Sequence, residues 1–186
     1  MKNVEIKTRV RDLEDLERRV RKLGAEHHWT RNQRDTYFDV PRGYLKLRVV
    51  ASEPGELIAY RRTEEEGRLV SDYTIAPVGD PFVLTSVLDR SIGIRGVVEK
   101  TRTLWIWRHT RIHVDKVFGL GAFLELETVA EGISLAEARR EAETVIDALT
   151  LDRSAFLDRP YLELQEQTRD TVRLPPRPDQ GASGAR

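Results

Sequence analysis

The chain has no cysteine. Disulfide scaffolds, thiol nucleophiles and Cys-ligated zinc are therefore excluded as sources of stability or chemistry. It also has no excess charge of either sign: 31 Lys and Arg balance 31 Asp and Glu. That balance argues against a general affinity for nucleic acid or for an anionic membrane, although charge can still segregate locally. No apolar run approaches the roughly 18–20 residues of a membrane-spanning helix. The N-terminus, MKNVEIKTRV, alternates and is charged, without the apolar segment of a signal peptide, so a soluble, cytoplasmic protein is expected. What is present is a chain of 186 residues, 33% charged and 39% hydrophobic, which suits one domain with a buried core.

Period-2 alternation dominates. Residues 3–10, 35–40, 44–50, 56–62, 70–77, 97–107, 110–117 and 122–130 read as eight strands. A helix is expected over 12–23, where Leu13, Leu16, Val20 and Leu23 have helical spacing and Gly24 is a stop. A second covers 81–91, opened by Asp80 as N-cap and Pro81 at the first helical position. A third covers 135–149, capped by Ser134, with Ala138, Ala142, Val145 and Leu149 on one face. Pro41-Arg42-Gly43 and Pro54-Gly55 mark hairpin turns. Residues 168–186 carry three prolines and no apolar periodicity. The expected organisation is a domain over 1–165, with 152–161 as a last turn plugging one end, and a disordered tail over 166–186.

The informative feature is what alternates with the apolar residues. Glu5, Lys7 and Arg9 share one strand face while Val4 and Ile6 share the other. Lys46 and Arg48 oppose Leu45 and Leu47; Lys100 and Arg102 lie on one face; Arg111, His113 and Asp115 alternate with Ile112 and Val114. Glu125 and Glu127 alternate with Leu124 and Leu126, and Arg61 adds a cation in the fourth strand. Any one of these strands is compatible with a solvated face on a sheet packed against helices. Jointly they are unusual, because the polar positions are nearly all formally charged and the signs segregate by strand. The fold class read from this pattern is α+β: eight antiparallel strands closed into a barrel, with helices packed outside and charges lining the interior.

Such an interior has a chemical consequence. Clustered Arg and Lys repel one another unless an anion of high charge density sits among them. Carboxylates nearby would repel that anion unless a hard divalent cation, Mg²⁺ or Mn²⁺, bridges the two. A metal-chelated polyphosphate satisfies both walls, and phosphoryl transfer asks mainly for positioning and charge neutralisation.

Several segments carry a resemblance to a known family. Asn3-Val-Glu5-Ile-Lys7 resembles the E-x-E-x-K signature of the CYTH family, the triphosphate tunnel metalloenzymes. In order follow Leu23-Gly24-Ala25, Gln33-Arg34-Asp35-Thr36-Tyr37-Phe38, Leu45-Lys46-Leu47-Arg48 and Val98-Glu99-Lys100-Thr101-Arg102. Arg111-Ile-His113-Val-Asp115 and Gly119-Leu-Gly121-Ala-Phe123-Leu-Glu125-Leu-Glu127 complete the series. The resemblance implies a triphosphate tunnel in which Glu5, Asp115, Glu125 and Glu127 hold divalent metal. It implies that Lys7, Arg9, Lys46, Arg48, Arg61, Lys100, Arg102 and Arg111 grip phosphates, with Glu5, Lys7, Glu125 and Glu127 forming the catalytic group. Arg9 and Arg111 have a second reading, as spacers pairing with carboxylates, and His113 reads as a hydrogen-bonded filler.

Position 3 departs from the signature: Asn stands where Glu is usual, and its amide is a neutral, poorer metal ligand. The expected function is a divalent-metal-dependent phosphohydrolase acting on an organic or inorganic triphosphate. The alternatives are an adenylyl cyclase converting ATP to cyclic AMP and pyrophosphate, and a diverged protein handling another phosphorylated metabolite such as an organic diphosphate. The expected partner is a small phosphorylated molecule rather than nucleic acid or membrane, and outer helical faces leave room for a homodimer.

Overall fold

The computed structural model describes residues 2–65 and 68–172. The alternating stretches form eight strands: β1 (Lys2–Arg9), β2 (Glu26–Phe38), β3 (Tyr44–Val50), β4 (Gly55–Glu65), β5 (Arg68–Val78), β6 (Ile94–Trp107), β7 (Thr110–Val117) and β8 (Gly121–Val129). Four helices accompany them: α1 (Leu13–Lys22), α2 (Pro81–Ile92), α3 (Leu135–Ala148) and α4 (Tyr161–Val172). Every strand pairs antiparallel with its neighbours, and the sheet closes in the order β1-β5-β4-β3-β2-β6-β7-β8. The expected closed barrel is present, and closure leaves no free edge. Among the described residues no helix is long and apolar enough to cross a membrane.

Period-2 geometry sends alternate side chains to opposite faces, and here the apolar set points outward. Val4, Ile6, Trp105, Ile112, Val114, Leu124 and Leu126 leave the barrel and meet Leu16 and Val20 of α1 and Ala138, Ala142, Val145 and Ile146 of α3. Burying each large aliphatic chain is worth about 1.5–3 kcal/mol, so the hydrophobic stabilisation comes chiefly from outside the barrel wall. That frees the interior for charge. Local signals hold these helices in register with the sheet. Asp12 caps α1 by accepting from the Asp15 amide, and Ser134 and Glu137 form a capping box on α3. Asp80 caps α2, which buries none of its residues and leaves Phe82, Val83 and Val87 exposed.

Two elements differ from the sequence reading. β2 starts at Glu26 rather than 35, because 26–34 is EHHWTRNQR, without one aliphatic residue to betray its alternation. It forms a strand because β6 offers a partner along its whole length, from Glu26↔Ile106 to Phe38↔Ile94. Residues 166–172 of the expected disordered tail are instead the second half of α4. The apolar residues of this helix crowd into its first turn, so no helical period is visible in sequence. Tyr161, Leu162 and Leu164 pack against Tyr37, Val98, Val117 and Phe123 and stop one end of the barrel. The rest of the expected tail, 173–186, lies outside the described residues.

The turn before β3 depends on Gly43, at φ +66°, where a Cβ would come within 2.6 Å of the Tyr60 carbonyl oxygen. Gly43→Ala therefore meets both left-handed strain and a backbone clash, and is expected to cost about 1–3 kcal/mol. Urea denaturation would show a lowered midpoint with unchanged slope.

Candidate active site

The inward faces enclose a cavity of about 490 Å³. Lys46 and Arg48 come from β3, and Lys100 and Arg102 from β6. Glu125 and Glu127 come from β8, four strands from β3 in the closed order and so directly opposite it. β1 joins the acidic wall in register, with Glu5 opposite Glu127 and Lys7 opposite Glu125. The inner end is closed by Pro160 and Tyr161 at the start of α4. Lys7 Nζ lies 4.5 Å from the Tyr161 ring centroid and donates to the Arg159 carbonyl at 3.2 Å. The site is a blind tunnel with its polar wall divided by charge.

Two kinds of carboxylate occupy this interior. Asp35 and Asp115 are fully buried braces. Asp35 accepts from Lys46 at 2.9 Å and from Arg48 at 2.8 and 2.9 Å. Asp115 accepts from Arg102 at 2.7 and 2.6 Å and from the Tyr161 hydroxyl at 2.9 Å. Burial alone would raise both carboxyls. Arg48 and Lys46 nevertheless hold Asp35 well below the usual range, and Arg102 and Lys100 hold Asp115 at about 2. These braces aim the cations and keep them from repelling one another.

Glu5, Glu125 and Glu127 instead line the cavity. Glu5 is held by Arg62 and by the Ser71 hydroxyl at 2.5 Å. Glu125 touches Lys7 at 3.1 Å and Arg102. Glu127 has the loosest partners, Arg111 at 3.7 Å and His113 at 3.4 Å. Burial pushes the His113 imidazole down, with the Arg102 charge adding to it, so His113 is neutral at pH 7.

Of the residues expected at the site, Glu5, Lys7, Lys46, Arg48, Lys100, Arg102, Arg111, Glu125 and Glu127 line one cavity. Three do not. Arg9 is exposed beyond the closed end, stacked over Phe123 at 4.9 Å and donating to the Leu120 carbonyl at 3.0 Å. Arg61 is exposed on the outer face opposite Asp72, and Arg62 takes the inward place. Asp115 lies behind Arg102 with both oxygens engaged, and it braces that cation instead of lining the cavity.

Sequence reasoning missed Arg62, Ser71, Gln33 and Asp35. Arg62 is missed because both faces of β4 carry apolar residues, Leu57 and Ala59 against Ile58 and Tyr60, so its phase is illegible. The signal that could have set it is the pairing of Glu56 with Arg48 in register. Arg62 also has a buried Nη1 with no acceptor among the described residues, a donor left over for an anion.

The donor set suits a hard divalent cation. Glu5, Glu125 and Glu127 offer only oxygen, and the buried Oδ1 of Asn3 faces the same cavity with no hydrogen-bond partner among the described residues. Among the described residues no three His, Asp or Glu side chains stand converged as a ready cluster, because each glutamate is drawn to a cation. Of these three glutamates, Glu127 is the most loosely held and so the freest to turn to a metal.

The chain is similar in structure to the PH1012 protein of Pyrococcus horikoshii OT3, at 23% identity over 87% of this chain and 98% of that one, with a TM-score of 0.79. A conserved hypothetical protein of Pyrococcus furiosus shares 26% identity over 87% and 99%, with a TM-score of 0.77. HpAC1 from Hippeastrum, a protein with a dominant triphosphatase activity, shares 15% identity over 89% and 96%, with a TM-score of 0.64. At such identity the HpAC1 likeness is one of fold. No curated protein matches the chain. A family model of the CYTH domain matches residues 1–161, the whole barrel and the chain up to the first residue of α4, and the chain belongs to the CYTH domain family.

Proposed function

We propose that this protein is a divalent-metal-dependent phosphohydrolase acting on a triphosphate held inside the barrel. The observation that carries the reading is the blind cavity with Lys46, Arg48, Lys100 and Arg102 braced on two buried aspartates, opposite Glu125 and Glu127. Cations that were only structural would not need to face a 490 Å³ void. Arg48 and Arg102, each forked on an aspartate, present their remaining N–H groups to phosphate oxygens, and Lys7, Lys46 and Lys100 add point charges. Mg²⁺ or Mn²⁺ held by Glu125, Glu127 and Glu5 would supply Lewis-acid neutralisation of phosphate charge. The chain's own part is to fix the phosphate chain in one register and to exclude bulk water at the closed end.

A phosphate-release screen with Mg²⁺ and Mn²⁺ over tripolyphosphate, thiamine triphosphate and ATP tests the reading, with pyrophosphate and cyclic AMP followed in parallel. Orthophosphate release that Glu127→Gln abolishes supports it. Cyclic AMP with pyrophosphate would replace it by a cyclase, and silence with every substrate would overturn it.

The site also predicts proton linkage. Burial, then the Arg48 charge, pushes the Lys46 amine down to about 7 against the opposing pull of Asp35. A bound polyanion favours the charged form, so the complex holds a proton that the free protein lacks above neutral pH. Affinity is then expected to fall as the pH rises from 7, by at most about tenfold per pH unit. Calorimetry of tripolyphosphate binding in two buffers of different ionisation enthalpy would read this uptake. Lys46→Arg, which keeps the charge but does not titrate, is expected to remove it.

A further inference from the structure

A surface helix normally turns its apolar stripe to the core and its charge to water. α1 and α3 do so: Leu16, Val20, Ala142 and Val145 are buried, and Glu14, Arg18, Arg140 and Asp147 are exposed. α2 does the reverse. Its inward face, Pro81, Leu84, Thr85 and Leu88, is only half-buried against the outside of β2 and β3. At 3.6 residues per turn its outward face is Phe82, Val83, Ser86, Val87 and Arg90, all of them exposed. Phe82, Val83 and Val87 are 81%, 59% and 52% exposed, together roughly 300 Å² of apolar surface. A patch of that size matches the largest found on ordinary monomers. It also suits the apolar centre of a standard interface, whose footprint is about 800 Å² per partner.

The order of residues along this face indicates what covers it. Phe82, Ser86 and Arg90 form one ridge at four-residue spacing, with the serine midway between an aromatic ring and a cation. The Arg90 guanidinium has no hydrogen-bond or ion-pair partner among the described residues. Set an identical face against it antiparallel, with a two-fold axis at Ser86, and each Phe82 meets Arg90 of the partner subunit. A guanidinium over an aromatic ring is attractive, and more so once water is excluded. The small serine lets the two backbones approach at the axis, and Val83 and Val87 flank it. Each helix N-terminus then lies beside the C-terminus of the other, so the helix dipoles oppose favourably. The face is complementary to itself.

We propose that this chain forms a two-fold symmetric homodimer in which α2 packs antiparallel against α2 of a second copy. The fold leaves both cavities free in that arrangement. α2 starts beside Gly55 of β4, next to Pro54 and Glu56 of the cavity lining, and ends near Gly96, over which Leu162 of the plug packs. It therefore runs along the outside of the wall from the open end to the closed end. Antiparallel pairing points the two open ends in opposite directions, and no residue of α2 lines the cavity.

The test is sedimentation equilibrium of the full chain from about 1 to 100 μM at roughly 0.15 M salt. The wild type is expected to reach the mass of two chains within this range. Val87→Glu is expected to raise the dissociation constant at least ~100-fold, because the dimer would bury two unpaired carboxylates. Its far-UV circular dichroism should match wild type, since position 87 is exposed in the single chain. The natural sequence has no cysteine, so Ser86→Cys places one thiol per chain at the axis. Mild oxidation is expected to join two such chains through a disulfide, whereas Thr144→Cys, on the exposed face of α3, stays unjoined. A single-chain mass at the highest concentration would overturn the proposal. So would a dimer that Val87→Glu leaves intact, or one in which the Ser86→Cys thiols do not join. A monomer that dimerises only after residues 173–186 are removed would give the face to that segment, and would overturn it too.

Discussion

Replacing Arg102 by Met is expected to lower folding stability by about 3–5 kcal/mol and to abolish triphosphate turnover. Arg102 is 3% exposed, forks onto Asp115 and reaches Glu125. Its removal strands two buried carboxylates, with Lys100, 3.5 Å from Asp115, and Lys7 as the remaining counter-charges. The pH dependence has a definite sign. In the wild type the Asp115 carboxyl is held at about 2, so its contribution to stability is present above pH ~4, the unfolded value, and is lost as the pH falls through 2. In Arg102→Met burial is no longer opposed by the fork, and the penalty is relieved by protonation. The loss relative to wild type is therefore expected to be larger at pH 7 than at pH 4.5. Denaturant titrations at the two pH values check this. The double variant Arg102→Met/Asp115→Asn is expected to recover stability but not activity, separating the brace from the phosphate contact.

Glu127→Gln is expected to have the opposite profile, with a fold that stands and chemistry that fails. The substitution keeps the shape of the side chain, which is 20% exposed and whose ion-pair partners among the described residues are Arg111 at 3.7 Å and His113 at 3.4 Å. Despite burial, His113 and then Arg102 hold the Glu127 carboxyl well below the usual range, so it is ionised at neutral pH. On the proposed reading, losing that charge removes a metal ligand. Several kcal/mol of transition-state charge stabilisation corresponds to a fall in kcat on the order of 10²–10³-fold. Steady-state phosphate release at saturating Mg²⁺, together with an unfolding midpoint close to wild type, checks both halves. A variant that is inactive because it is unfolded would fail the second.

Strict alternation made most of the barrel legible before the structure. In β1, β7 and β8 the apolar and charged sets separate cleanly, as with Ile112 and Val114 against Arg111, His113 and Asp115. Once those faces are assigned, Glu125, Glu127, Lys7 and Glu5 follow as neighbours, and the register places them so. Alternation says nothing where both faces are alike, so in β4 it does not separate outward Arg61 from inward Arg62. It is also silent about depth along a strand: Arg9 and Asp115 have inward phase, yet Arg9 emerges past the Phe123 layer and Asp115 is sealed behind Arg102. The role of Asp35 depends on its cross-strand partner Arg48, a long-range pairing that no local pattern carries. A plug at 152–161 is legible as a last turn of the chain, but its continuation into α4 is not, since the apolar turn there matters only against the layer of Phe123, Val98 and Val117.

On the proposed reading, the cations of the blind tunnel are held ready for a polyphosphate. Titration calorimetry of tripolyphosphate into the full chain, with and without Mg²⁺ at about 0.15 M ionic strength, tests it most directly. One polyphosphate per chain is expected, with binding tightened by Mg²⁺ and weakened at least ~10-fold by Arg48→Met, which removes a bidentate phosphate contact. Binding without fixed stoichiometry, or binding indifferent to both Mg²⁺ and Arg48, would contradict it.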